Sequence, residues 1–158
     1  MMFVFDADIL STFAKINKVE ILPKIFSSSV LLIPPAVMAD LQASKSESVR
    51  KACESNLFQR ATLDQNESEF AEKISKEKRL GKGEIECIAV CKFRSANIVT
   101  NDSRAISYAE KLNISVIDLE TILYYLKEII SNDGLKQLIN DIESEDKVVI
   151  VNKDHILS

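Results

Sequence analysis

Four carboxylates stand where they could do chemistry: Asp6, Asp40, Glu84 and Asp102. Asp6 follows Phe3-Val4-Phe5, an apolar run without alternating polar residues, as expected of a short strand buried on both faces. Asp102 ends Ile98-Val99-Thr100-Asn101 in the same way. In an open α/β sheet the carboxyl ends of the strands line the ligand crevice, so both acids are expected to face it from neighbouring strands. Asp40 lies beside the buried stripe of a helix (Val37, Met38, Leu41), and Glu84 opens a nearly all-apolar helix. At that first turn a carboxylate also suits the helix dipole, which explains Glu84 equally well. Glu86 falls about 200° around the same helix, so it cannot share one small site with Glu84. Asp8 suits the N-cap of a helix running to about Asn17.

Carboxylates brought together raise one another's pKa, and a fold that gathers several normally needs a cation among them. The chain has one histidine, His155, and three cysteines without a CxxC pair. An all-oxygen ligand set selects Mg²⁺ or Mn²⁺ over zinc. Magnesium keeps several waters and is often completed by a substrate phosphate, which points to phosphate-ester hydrolysis.

The elements that must position these acids follow a β-α alternation. Val30–Ile33 reads as a second buried strand, stopped by Pro34-Pro35, with Pro35 able to open the next helix. A polar helix over Ser46–Ser55 has a possible capping box in Ser44 and Glu47. Leu57–Leu63 has room for a short third strand. Asp64–Leu80 is a charged helix with Phe70, Ala71 and Ile74 inward and its charges on a solvated face. Ile114–Ile117 is a further strand, and Asp118 caps the helix after it with Thr121. Asn132-Asp133-Gly134 reads as a turn, Gly134–Glu145 as an amphipathic helix, and Lys147–Val151 as an edge strand. Asn152–Ser158 carries no clear signal. This order predicts an α/β protein, three-layer α/β/α around a mainly parallel central sheet, and one domain over residues 1–158.

Net charge is −4, which argues against a broad basic face for nucleic acid but leaves room for a few local cations. No glycine-rich nucleotide loop is present, and Cys87 and Cys91 are expected to pack in the core. No apolar run approaches the roughly 20 residues of a membrane span, and no signal peptide is read, so a cytoplasmic protein is expected.

The motifs, taken together, resemble the PIN-domain ribonucleases, a group that includes the VapC-like toxins. The matching segments are the opening strand with Asp6 and Asp8, Ile33-Pro34-Pro35 leading to Asp40, Gly83-Glu84-Ile85-Glu86 before an apolar run, and Thr100-Asn101-Asp102. The third looks like a Gly-Glu-x-Glu branch of prokaryotic PIN proteins. Asp8 stands where the family more often has Ser or Asn, and Asp40 where Glu is more usual. The resemblance covers about residues 1–123, a core after which 124–158 is an extension of open role. It implies a Mg²⁺- or Mn²⁺-dependent endoribonuclease, in which Asp6, Glu84 and Asp102 hold the metal and Asp40 acts from farther away. Asp8 and Thr100 would orient carboxylates or waters. Lys82 and Arg104 would touch RNA phosphates, though each is also explained as an ordinary exposed cation. A homodimer, and as a toxin an antitoxin partner, are implied as well.

Two rivals differ in class. Asp6-Ala7-Asp8 also resembles the opening of haloacid dehalogenase-like phosphatases, with Asp6 as the phosphorylated nucleophile and Asp8 as acid-base. That family wants a late paired-acid motif, and Asp118 is a lone acid. A non-catalytic PIN-fold module binding RNA or a protein is the other rival, against which all four acids stand.

Overall fold

The computed structural model describes residues 1–158. Five parallel strands form its sheet, in the order β3-β2-β1-β4-β5. They are β1 (Met2–Phe5), β2 (Val30–Ile33), β3 (Gln59–Arg60), β4 (Asn97–Val99) and β5 (Val116–Ile117). The connecting helices are α1 (Ala7–Lys15), α2 (Ile21–Ile25), α3 (Pro35–Gln42), α4 (Glu47–Ala52), α5 (Gln65–Glu77), α6 (Lys82–Arg94) and α7 (Ser103–Lys111). After β5 come α8 (Leu119–Lys127), α9 (Asn132–Glu145) and α10 (Lys153–Leu157). The result is the expected three-layer α/β/α arrangement with a parallel sheet.

The three central strands are short apolar runs of the sequence. Val4, Phe5, Ile98 and Val99 have no exposed surface, because parallel strands are covered on both faces. The edges are two residues each, which leaves little unpaired backbone to template another chain. The order reverses between β1 and β4, and Val4 pairs with Ile98 and Phe5 with Val99. That is the switch point, where a crevice opens beyond the strand ends. Helix α6 packs against α3, α5 and β1 and is buried from Ile85 to Cys91, so it fixes what its first turn presents to that crevice.

Several local expectations are corrected. Asp8 does not cap α1; β1 runs straight into the helix, so Asp6 takes the extended N-cap position and Asp8 falls inside the first turn. Ser44 and Glu47 form no capping box, since Ser46 precedes α4 and Ser44 Oγ accepts from its backbone N–H. The capping box lies at α5, between Asp64 and Glu67. Asn132-Asp133-Gly134 is the first turn of α9, capped by Ser131. Lys147–Val151 is not a strand and pairs with none of the five; Val149 and Val151 are exposed while Ile150 is buried. Leu126, Leu135, Leu138, Ile139, Ile142 and Ile156 join the same apolar cluster as β1 and β4, so the C-terminal helices pack on the common core. No helix is long and apolar enough to cross a membrane.

Candidate carboxylate site at the switch point

The site begins with the pairing of β1 and β4. The backbone N–H of Asp6 donates to Val99 O at 2.9 Å, which carries the ladder one residue past the strand and holds Asp6 beside Thr100. Thr100, with no exposed surface, donates its hydroxyl to Asp6 Oδ2 at 2.8 Å and accepts from the Asp102 N–H at 3.2 Å. One side chain therefore fixes both strand-end acids. Asp102 caps α7, with Oδ1 accepting from Ala105 N–H at 2.9 Å. Asp8 reaches across from α1, and its Oδ2 accepts from Asn101 N–H at 2.9 Å. Asn101 in turn accepts from Leu119 N–H through its side chain, which ties this loop to α8.

Electrostatics mark the cluster as under-neutralised. Asp6 is 4% exposed, and burial first, then the Asp8 charge, push its pKa up from 3.8 to about 6 against the opposing Thr100 hydrogen bond. Asp8 is raised by burial, with Asp102 and Glu84 adding to it. Glu84 is raised by burial, then by Asp6 and Asp102. None of the five ion pairs in the molecule includes Asp6, Asp8, Asp40, Glu84 or Asp102. Cys87 lies close by, but burial pushes its thiol well up, and its Sγ is spent on Phe5 O, so it offers no thiolate.

Asp6, Asp8, Glu84 and Asp102 thus act on one another across the switch point. Asp40 is exposed at the rim and meets the cluster across Gly83. A methyl at buried Gly83 would lie 3.2 Å from Asp40 Oδ2, 3.6 Å from Asp6 Oδ1 and 3.3 Å from Val37 Cγ2. Glu84 turns back along its own helix, its carboxylate against Gly81 and its charge eased by the backbone N–H groups of Gly81 and Glu84. Glu86 points elsewhere, as its spacing requires, accepting from the Ala36 N–H at the start of α3 at 2.8 Å. Lys82 and Arg104 are exposed on separate clefts: Lys82 shares a cavity with Glu72 and Glu86, while Arg104 lies beside Arg79, Tyr108 and Lys111.

The donors are oxygens without histidine or thiolate, which is the chemistry of a hard divalent cation. Their mutual repulsion gives such an ion something to neutralise. They do not form a closed cage, since no three Asp, Glu, His or Cys side chains are grouped as a metal-binding set. Glu84, held back on Gly81, is the acid whose rotation would bring it inward.

Asn101, Gly81 and Gly83 were not singled out as site residues by sequence reasoning. The steric need at Gly83 depends on Val37 and Asp40, more than 40 residues away in the chain.

The Thr100 relay gives a direct expectation. Thr100→Val keeps the shape but leaves Asp6 Oδ2 and the Asp102 N–H without this partner, costing about 1–3 kcal/mol in urea unfolding. Asp6 then titrates above its present value of about 6, followed by carboxyl-carbon NMR, because the bond that lowered it is gone. Thr100→Ser, which keeps both bonds, leaves that titration in place.

Comparison with known proteins agrees with this architecture. A search of curated proteins finds no match. The fold is similar to that of a chain in the crystal structure of VapBC2 from Rickettsia felis bound to a DNA fragment from their promoter. The TM-score is 0.54 at 15% sequence identity, covering 75% of this chain and 98% of that one. The family model described as "DUF3368: PIN domain" matches residues 2–152, running beyond the point near residue 123 where the motif resemblance stops. That match sets aside the phosphatase reading: the chain belongs to the PIN-domain family.

Proposed function

We propose that the chain is a divalent-metal-dependent ribonuclease that hydrolyses RNA phosphodiester bonds at the switch-point carboxylates. The observation that carries this is that Asp6, Asp8 and Asp102 are tied to one loop through Thr100 and Asn101, with Glu84 near enough to act on them and no cationic partner, Asp6 being buried and Asp8 half-buried. Acids held so close are costly unless a cation joins them. In this reading Asp6, Glu84 and Asp102 hold Mg²⁺ or Mn²⁺, and Asp40 acts from the rim. When bound, the ion would supply an activated water and neutralise charge on the phosphoryl oxygens.

The chain's own residues do the positioning. Thr100 holds the Asp6 carboxylate and the Asp102 backbone in register, and Asp8 fixes the loop at Asn101. Burial and the neighbouring carboxylates raise the pKa values of Asp8 and Glu84, so both acids gain from a cation placed among them. Arg104 and Lys82, at the starts of α7 and α6, are proposed contacts for RNA phosphates. We read residues 1–158 as one domain acting as a homodimer, and a toxin held by an antitoxin as its setting; the fold likeness to a chain of VapBC2 supports that setting.

The deciding experiment is cleavage of a labelled RNA with Mg²⁺ or Mn²⁺, compared with a chelator and with Asp6→Asn. Isothermal titration with Mn²⁺ gives an independent expected result: binding releases protons at pH 6, since raised carboxyls must ionise to take the ion. No cleavage and no Mn²⁺ binding would favour the second reading, a non-catalytic PIN-fold module. The observation on its side is that no three acids are grouped as a closed ligand set, the Glu84 carboxylate lying against Gly81.

A further inference from the structure

One cleft runs against the charge of the whole chain. Acids outnumber bases, 24 to 20, yet a cleft of about 280 Å³ beside α7 is lined by Lys78, Arg79, Arg104 and Lys111 and by no carboxylate. It lies between the link from α5 to α6 and one face of α7. On α7, Arg104, Tyr108 and Lys111 follow at four and three residues, with Ser103 and Ser107 alongside, so they form one stripe. Arg104 Nη1 donates to Arg79 O at 3.3 Å, which fastens the two walls together. Lys78 Nζ lies 5.0 Å from the centroid of the Tyr108 ring. None of the four cations has an ion-pair partner, as is true of most cations of the chain, but only here do four of them line one cleft.

We infer that this cleft is a binding track for single-stranded RNA, leading from the carboxylate cluster along α7. On α7 the wall starts at Ser103, the residue after Asp102, so the cleft begins at the end of the helix that this acid caps. From Ser103 to Lys111 the helix rises about 12 Å, enough to meet more than one phosphate. Unpaired cations in a cleft that no carboxylate lines suit a polyanion, and two serine hydroxyls add neutral donors to phosphate oxygens. Tyr108, half-buried among cations, offers a ring face for an unstacked base, which a duplex does not present. Lys82 opens on a separate cavity with Glu72 and Glu86, so a phosphate it meets lies outside this track. This inference rests on the ribonuclease reading for its purpose but not for its test.

The test is fluorescence anisotropy of a labelled 12-nucleotide oligouridine with the full chain, in a chelator so that no cleavage occurs. With four phosphate contacts the slope of log affinity against log salt is expected near −3, at about −0.7 per contact. Arg104→Ala with Lys111→Ala lowers its magnitude by about 1.4. Tyr108→Ala weakens binding by roughly 5- to 150-fold, while Tyr108→Phe retains it. Lys136→Ala, on α9, is the control and leaves both quantities unchanged. No binding by the wild type, an unchanged slope in the double variant, or equal affinity for duplex DNA overturns the track. If the track stands but Mg²⁺ and Mn²⁺ give no cleavage, the nuclease reading fails alone; cleavage with an unchanged slope fails the track alone.

Discussion

Asp6→Asn is expected to lower RNA cleavage by about 10³-fold or more while the protein stays folded. Metal-assisted charge neutralisation is worth several kcal/mol of barrier, and each 1.36 kcal/mol is tenfold in rate. Asp6 is the acid least replaceable in this role. It is buried where β1 ends, its Oδ1 accepts from Ala7 N–H at 2.8 Å, and Thr100 fixes its other oxygen. An asparagine fills the same space and keeps the N-cap bond through its carbonyl, so activity loss with a cooperative unfolding transition separates chemistry from folding. Equal cleavage by the two proteins would remove Asp6 from the mechanism.

The same residue makes a pH prediction whose sign follows from linkage. Folding raises the Asp6 pKa from 3.8 to about 6, so between those values the native state keeps a proton that the unfolded chain has lost. Without a divalent ion, stability is therefore greatest below about pH 4 as far as Asp6 is concerned, falls as pH rises through 6, and is lower by about 3 kcal/mol above it. Asp8 and Glu84, both raised, act in the same direction. Saturating Mn²⁺ should reverse the trend near pH 7, because an ion that binds only the folded form stabilises it. Urea unfolding of wild type and Asp6→Asn at pH 5 and 7 in a chelator checks this: the variant should show a smaller drop. A drop of the same size in both proteins would assign the effect to other groups.

How much of this was legible depended on distance along the chain. β1, β2 and β4 could be read because a strand buried on both faces is a short continuous apolar run, followed by Asp6, by Pro34, and by Thr100-Asn101-Asp102. The acids at their ends followed from that reading. Capping was legible where the box lies inside one turn, as at Asp118 and Thr121, and misread at Asp8, because the cap falls wherever the strand happens to stop. Lys147–Val151 has strand composition, but strand formation needs a free partner edge, which sequence does not reveal. The charged face of α5 concealed the largest error. Glu67 was counted among solvated charges, yet it has no exposed surface, since its partner comes from a helix 27 residues later.

That partner gives the largest stability effect expected outside the site. Arg94 grips Glu67 with both prongs, Nε to Oε2 at 3.0 Å and Nη2 to Oε1 at 2.9 Å, and Nη2 also donates to Thr62 O at 2.7 Å. Glu67 Oε1 accepts as well from Asp64 N–H, closing the capping box of α5. Arg94→Ala would leave a buried carboxylate with its counter-charge removed, which costs about 3–5 kcal/mol. At 2–4 °C per kcal/mol for a domain of this size, the melting temperature should fall by roughly 6–20 °C. Glu67→Leu combined with Arg94→Met, which removes both charges, should cost much less, because no unpaired charge is left in the interior. Arg94 lies at the far end of α6 from Glu84, about 15 Å along the helix, so cleavage by the folded fraction should persist well below the melting point. A shift under about 2 °C in the single variant would mean that water reaches Glu67 as soon as Arg94 is gone, and that the clamp between α5 and α6 is held by packing alone.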